Sequence, residues 1–398
     1  MNKQNLSQKI KEKAAAVEER VIELRHQIHQ NPELSFEEHQ TSALAAGEMR
    51  KLGFEVRENI FGTGVTATFK NSSRPEARTL LIRADMDALP VEEKNELNFK
   101  SKNEGVMHAC GHDGHTAILI GTAVVLKEMA ADFKGNIKFL FQPGEETSGG
   151  ADGMIKAGVL KNPDVDAALG LHLWGSSPEG VVEYKSGPLM ASPDRFDLKI
   201  IGRGGHAARP QNTIDPIPIG AEIISALQTI VSRRIDPLDS AVISVCNFEA
   251  GSTHNVIPDE AVLKATVRSL KSEVRKELAA DIKKVIENIC EIYGADYELN
   301  YIFGYPPVVN DSKITKILAG AAAKVLGEDR VHEKEKAEMG GEDFSYFGLE
   351  VPAAFYFLGI APEGEIINHH QSDFKFNDSV LKDGVAVMAQ TALDFFNN

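Results

Sequence analysis

Apolar residues at helical spacing open the chain: Leu6, Ile10, Ala14, Val17, Val21, Leu24 and Ile28 stand among charges. The pattern predicts an amphipathic helix over residues 5–30, and a second helix follows over 37–52, stopped by Gly53. The period then changes. Residues 54–60 and 64–69 read as two strands around a Gly-Thr-Gly turn. Short apolar runs at 79–83, 135–141, 166–173 and 353–358 are of the kind buried on both faces of a sheet. Helical patterns over 116–129, 312–326 and 380–396 alternate with them. Such alternation predicts an α/β domain on a mixed sheet.

The middle of the chain follows another rhythm. Strand 195–201, helix 216–232, strands 241–248 and 261–268, helix 272–293 and strand 297–303 give β-α-β-β-α-β, a ferredoxin-like unit complete in itself. Its position predicts that residues 1–187 and 304–398 form one domain and 188–303 an inserted one, with Tyr305-Pro306-Pro307 at the return crossing. No internal repeat or low-complexity stretch interrupts this order.

Composition narrows the class. At 398 residues the chain exceeds one ordinary core, and 42% hydrophobic with 25% charged residues is usual for a soluble globular protein. A net charge of -15 argues against nucleic acid as a partner. The longest apolar run, 117–126, contains Gly121 and is too short to span a bilayer, and the polar N-terminal residues lack a secretory apolar region. Three cysteines, Cys110, Cys246 and Cys290, are too few for a disulfide framework. The expectation is a cytoplasmic protein, with Cys246 in the core of its apolar strand.

Candidate chemistry collects where apolar runs end. Asp85 and Asp87 follow the first buried strand, Glu145 and Glu146 the second, and His172 lies at the end of the third. Open α/β sheets place their ligands at such ends. The densest stretch is His108-Ala109-Cys110-Gly111-His112-Asp113-Gly114-His115, just before a buried helix. Adjacent carboxylates such as Glu145 and Glu146 repel unless a cation or proton lies between them. Cys110, His112, Glu146, His172 and one of His369 or His370 are candidate metal ligands, more than the four of a closed structural zinc site. They suit two divalent ions if a thiolate or carboxylate bridges, leaving Glu145 as general base in a hydrolase. Cys110 as a nucleophile is the rival reading, but it gives the paired glutamates and His172 nothing to do. Near the end of the first helix, His26 reads as a surface or capping histidine, while His29 stays open.

These motifs resemble the M20 metallopeptidases, and among them the amidohydrolases of the aminoacylase, hippurate hydrolase and auxin-conjugate hydrolase type. The matching stretches include 83–90, 108–115, 142–146, 170–172, 202–206, 254–258 and 341–344, in order along nearly the whole chain. The resemblance implies two divalent ions per subunit (zinc or manganese, with cobalt or nickel as alternatives), and an inserted lid domain that dimerises. Residue by residue, Cys110 resembles the bridging ligand, and His112, Glu146 and His172 terminal ligands. Counting back from Phe374 selects His370 over His369, although the relatives' proline is absent from His370-Gln371-Ser372-Asp373-Phe374. Glu145 resembles the base. His206 resembles an oxyanion-stabilising histidine supplied by a neighbouring subunit, and Asn255 and Arg268 resemble groups that bind the substrate carboxylate. Asp87, His108, Asp113 and His115 would orient ligands from behind.

The resulting expectation is an enzyme cleaving small-molecule N-acyl amino acids as a homodimer or larger homo-oligomer, with no membrane partner. The alternatives are a dipeptidase or aminopeptidase of the same family, and a non-catalytic binding protein on the same scaffold.

Overall fold

The computed structural model describes residues 3–397 other than Ser73, Pro75 and Ser148. The chain begins α1 (Lys3–His29), α2 (His39–Lys51), β1 (Glu55–Ile60), β2 (Gly64–Lys70), β3 (Thr79–Asp85), α3 (His112–Glu128), β4 (Asn136–Gln142), α4 (Gly150–Lys156), β5 (Ala167–Pro178) and β6 (Val182–Tyr184). It continues through β7 (Gly187–Met190), β8 (Ser192–Ile201), β9 (Gly205–His206), α5 (Pro216–Arg233), β10 (Ala241–Ala250), β11 (Val256–Ile257), β12 (Glu260–Ser269), α6 (Ser272–Tyr293) and β13 (Asp296–Ile302). It closes with β14 (Val308–Asn310), α7 (Ser312–Leu326), β15 (Val331–Glu333), α8 (Ser345–Glu350), β16 (Ala353–Ala361) and α9 (Leu381–Asn397).

Two compact units result: Met1–Gly187 with Val309–Lys336 and Asp343–Asn398, and Pro188–Val308 with Ala337–Glu342. Residues 304–308 and 337–342 therefore fall in the second unit rather than, as expected, the first. Hydrogen bonds explain the difference. The Gly304 N–H donates to Asp194 (2.9 Å) and its carbonyl accepts from Arg275 (2.6 Å). The Ala191 N–H likewise donates to the carbonyls of Glu338 and Gly340.

The first unit is built on an eight-stranded sheet in the order β1-β2-β4-β3-β5-β16-β6-β15. Its central strands β4, β3, β5 and β16 are parallel, while β2 and β6 run antiparallel to their neighbours β4 and β16. Every residue of β3, β4 and β16 is buried, which is why they read as mostly apolar runs. Helices α1, α3, α7 and α9 pack on one another over this core. Of the polar residues inside these strands, Arg83, Asp85 and Gln142 sit near the C-terminal ends of β3 and β4, at the edge that carries the candidate chemistry.

Two boundaries differ most from expectation. Helix α3 starts at His112, not 116, because Gly111 adopts φ +98° and its carbonyl accepts from the Gly114 and His115 N–H groups. Few side chains tolerate that φ. His112, Asp113 and His115 are thereby fixed on the first helical turn instead of a loop. Strand β5 runs on to Pro178 because β16 pairs with it as far as Ala361.

The second unit contains a four-stranded antiparallel sheet, β10-β12-β8-β13, crossed by α5 and α6. This is the βαββαβ order of the ferredoxin-like unit. Its sheet buries alternate residues, among them Phe196, Leu198, Ile200, Leu263 and Val267, beneath Ile223, Leu227, Leu278, Ile282 and Ile286 of the helices. Cys246, expected in the core, is exposed. It lies on the edge strand β10 at a register shift between Val245 and Asn247, which turns it out of the alternation. Among the described residues no helix is long and apolar enough to cross a membrane.

Candidate active site

The C-terminal ends of the parallel strands bring the first unit's candidates together. Ligand atoms of Cys110, His112 and His172 lie within 4.8 Å of one another, and so do those of Cys110, Glu146 and His370. Cys110 belongs to both triplets. A third group joins His112 and Glu146 to Glu145.

The imidazoles are held by their far nitrogens. His112 Nδ1 donates to the Asp87 carbonyl (2.9 Å) and His172 Nδ1 to the Leu173 carbonyl (2.7 Å). Those tautomers leave both Nε2 lone pairs facing the cluster, as metal-ligating histidines require. His172 Nε2 is 3.4 Å from Cys110 Sγ, and His112 Nε2 is 3.8 Å from Glu146 Oε1. His370 Nε2 is 3.3 Å from the same oxygen. That oxygen is buried without a hydrogen bond, a costly state that a cation would relieve. The donor set, one thiol, three imidazoles and one carboxylate, is of the type that holds zinc-like ions.

His369 and His370 part company here. His370 takes φ +62° with its N–H on the Ala109 carbonyl (2.8 Å), which carries its ring to Glu146. His369 Nε2 instead accepts from the Gly175 N–H (3.2 Å), and its ring packs on Trp174 and Phe374.

Glu145 and Glu146 sit on a turn fastened from below. The Glu145 N–H donates to Asp87 Oδ1 (3.1 Å), the Glu146 N–H to Asp87 Oδ2 (3.0 Å), and the Ser35 hydroxyl also donates to Oδ2 (2.7 Å). Gly144 begins the turn at φ +64°; a Cβ there would come within 2.4 Å of the Phe36 ring. The Gly144 N–H donates to the buried Glu38 (2.9 Å). Asp87 is thus a support for the turn and for His112.

The side chains by themselves make the site electrostatically one-sided. Burial, reinforced by Glu146, Glu145 and Asp85, pushes the Cys110 thiol well up. Burial disfavours charge on His112, but Asp85, Asp87 and Glu146 prevail and push it up to about 10. His172, buried beside His115 and His369, is held well down. A bound cation reverses this logic, favouring thiolate and neutral imidazole.

Of the residues expected behind the ligands, His115 links Asp85 Oδ1 (2.6 Å) to the Leu173 N–H (2.9 Å), beside His172. Asp113 turns elsewhere, to Arg25 (3.1 Å) and His29 (2.8 Å) of α1. Both ring nitrogens of His108 are buried without a partner. His26 is more than a capping histidine: it stacks on Phe99 at 3.6 Å and meets Asp378 at 2.7 Å.

His206, Asn255 and Arg268 lie on the second unit. β9 pairs His206 with Val256, next to Asn255, just beyond the Glu260 end of β12. Arg268 occupies the opposite end of β12, opposite Val242 and Pro193, where it donates to the Asp194 carbonyl (3.3 Å). About 26 Å of strand separates the two ends. Sequence reasoning missed Arg83, Gln142 and Asp343, a buried network beside Glu145 described below.

A sheet that gathers a thiol, imidazoles and paired glutamates at its C-terminal edge offers the donor set and the neighbouring carboxylate of a metal-dependent hydrolase. A model of peptidase family M20/M25/M40 matches residues 81–394; the chain belongs to this family. Thermostable carboxypeptidase 2 of Saccharolobus solfataricus is 40% identical over 398 residues, covering 99% of this chain and 100% of that one. The N-acyl-L-amino acid amidohydrolase of Geobacillus stearothermophilus is 43% identical over 304 residues, 76% and 81% of the two chains. Among solved structures, a Bacillus subtilis dinuclear metal binding peptidase from family M20 superposes with TM-score 0.83 at 35% identity, covering 96% and 99%.

Proposed function

We propose that the protein hydrolyses the amide of N-acyl amino acids with two divalent ions, zinc or manganese, releasing a carboxylate and a free amino acid. The observation that carries this reading is the shared position of Cys110 in two ligand triplets, with Glu145 beside them. Cys110 would bridge, His112 and His172 would complete one ion's set, and Glu146 and His370 the other's. Ions held there supply a Lewis acid for the substrate carbonyl and lower the pKa of a bound water.

The chain's own residues supply the rest. Glu145 takes a proton from the attacking water and returns it to the leaving nitrogen. Asp87 keeps Glu145 and Glu146 on one rigid turn, so base and ligand hold a fixed separation. His206 donates to the carbonyl oxygen as charge develops there. Arg268 and Asn255 bind the amino acid's carboxylate. The roughly 26 Å of strand between Arg268 and the His206–Asn255 pair supports a site completed by two copies of the chain. A homodimer through the second unit, which then acts as a lid, is therefore part of the proposal. So is a cytoplasmic setting, since Cys110 is a free thiol and must stay reduced to serve as a ligand.

The carboxypeptidase name of one relative favours a second reading, removal of a peptide's C-terminal residue. The two share their chemistry: the scissile amide nitrogen belongs to a residue with a free carboxylate. Metal-reconstituted protein assayed on N-acetyl and N-benzoyl amino acids, their carboxyl-amidated forms and short peptides decides. Turnover of the free acids but not the amidated forms supports the proposal. Equal turnover of both contradicts the carboxylate-binding assignment, and peptides alone as substrates favour the carboxypeptidase.

A further inference from the structure

Arg83 is a cation with no exposed side-chain surface, placed near the C-terminal end of a buried strand. Burying a charge is costly unless every donor is paired, and Arg83 is paired in three directions. Its Nε donates to Gln142 Oε1 (2.8 Å), Nη1 to Asp85 Oδ2 (2.6 Å) and Nη2 to Asp343 Oδ1 (2.8 Å). Gln142 completes the ring by donating to both Asp343 oxygens (2.8 and 2.7 Å), and the Ala151 N–H adds a further bond to Oδ2 (3.0 Å). The Asp343 carboxylate is thus tied to β3, to β4 and to the start of α4.

The other side of Asp343 faces the chemistry. Its backbone N–H donates to Glu145 Oε1 at 3.4 Å. On its other branch Arg83 holds Asp85, which fixes His115 and lies 3.7 Å from His112 Nε2. One guanidinium therefore spans the base and the ligand side of the site. A tether of this kind matters because a base displaced by about 1 Å can lose roughly 10²-fold in rate.

We infer that Asp343, clamped by Arg83 and Gln142, is a positioning residue that fixes the carboxylate of Glu145 through its backbone N–H. The inference rests on the reading of Glu145 as the base. Asp343 touches no reacting atom; it acts by limiting the rotation of the group that does. Either way round, Asn at 343 would set an NH2 against the Gln142 donor and against that of Arg83 or Ala151, expelling one of them and moving the 343 backbone away from Glu145.

The test is a double-mutant cycle on the metal-loaded protein, using the fastest N-acyl substrate and reading kcat, KM and bound metal. Asp343→Asn is expected to lower kcat about 30- to 100-fold, with KM within about threefold and two ions retained. In the Glu145→Gln background the same change is expected to cost less than about threefold, since the group it positions is already gone. Fully additive losses in the cycle overturn the inference, as does an Asp343→Asn protein with kcat within threefold of wild type. Should Asp343→Asn fail to fold, Gln142→Met, which removes both hydrogen bonds from Gln142 Nε2 to Asp343, takes its place under the same criteria. Full activity of Glu145→Gln alone would instead mark failure of the base assignment.

Discussion

His29 offers the clearest quantitative check on the electrostatics behind the site. Its ring lies between two buried carboxylates, Asp113 at 2.8 Å and Glu93 at 3.3 Å. Burial disfavours the charged ring, but Asp113 and Glu93 overcome it and raise His29 to about 9. An unfolded histidine titrates near 6.5, so the folded state holds this proton more tightly by roughly 3 kcal/mol. Because the folded value is raised, the stabilisation is fully present below about pH 6.5 and is lost as pH climbs toward about 9. The ring is 1% exposed, so solvent screening takes little from it. The assay is urea unfolding at pH 6.5 and 9.5 on wild type and His29→Gln at equal metal loading. The difference between the proteins isolates His29 from the lysines, tyrosines and cysteines that titrate in the same range. Wild type is expected to lead by about 3 kcal/mol at the lower pH and to lose most of that lead at the higher. A lead that stays constant across the range would refute the charged-histidine account.

Three further outcomes follow from the geometry. Asp87→Ala strands the Glu145 N–H, the Glu146 N–H and the Ser35 hydroxyl; urea unfolding is expected to show a loss of about 3–6 kcal/mol, and Asp87→Asn a smaller one. His370→Ala is expected to lose one of two bound ions by elemental analysis while His369→Ala keeps both, since only His370 faces Cys110 and Glu146; the reverse pattern would exchange their roles. Mixing inactive Glu145→Gln and His206→Ala proteins under subunit exchange is expected to restore about a quarter of wild-type activity, because half the dimers would carry one intact site. No recovery would contradict a site completed by two copies.

Much of this was legible in the sequence because it is written locally. A buried parallel strand is a mostly apolar run, so Asp85 and Glu145 stand out where such a run ends and His172 stands out within β5. The βαββαβ order was legible for the same reason. Pairing across distance was not. Arg83 looks like an interruption of its strand until Asp343, remote in sequence, is seen at 2.8 Å. Asp113 lies among ligands in the sequence but serves α1, because the first turn of α3 points it at Arg25 and His29. Cys246 sits in an apolar strand whose edge position and register shift leave it exposed, and neither feature has a composition signal.

The central claim is that Glu145 does proton work beside two ions held by Cys110, His112, Glu146, His172 and His370. Bound metal and kcat measured together on Glu145→Gln test it most directly. The expected result is two ions per chain with kcat down by about 10²–10⁴-fold. Two bound ions with undiminished turnover would contradict it.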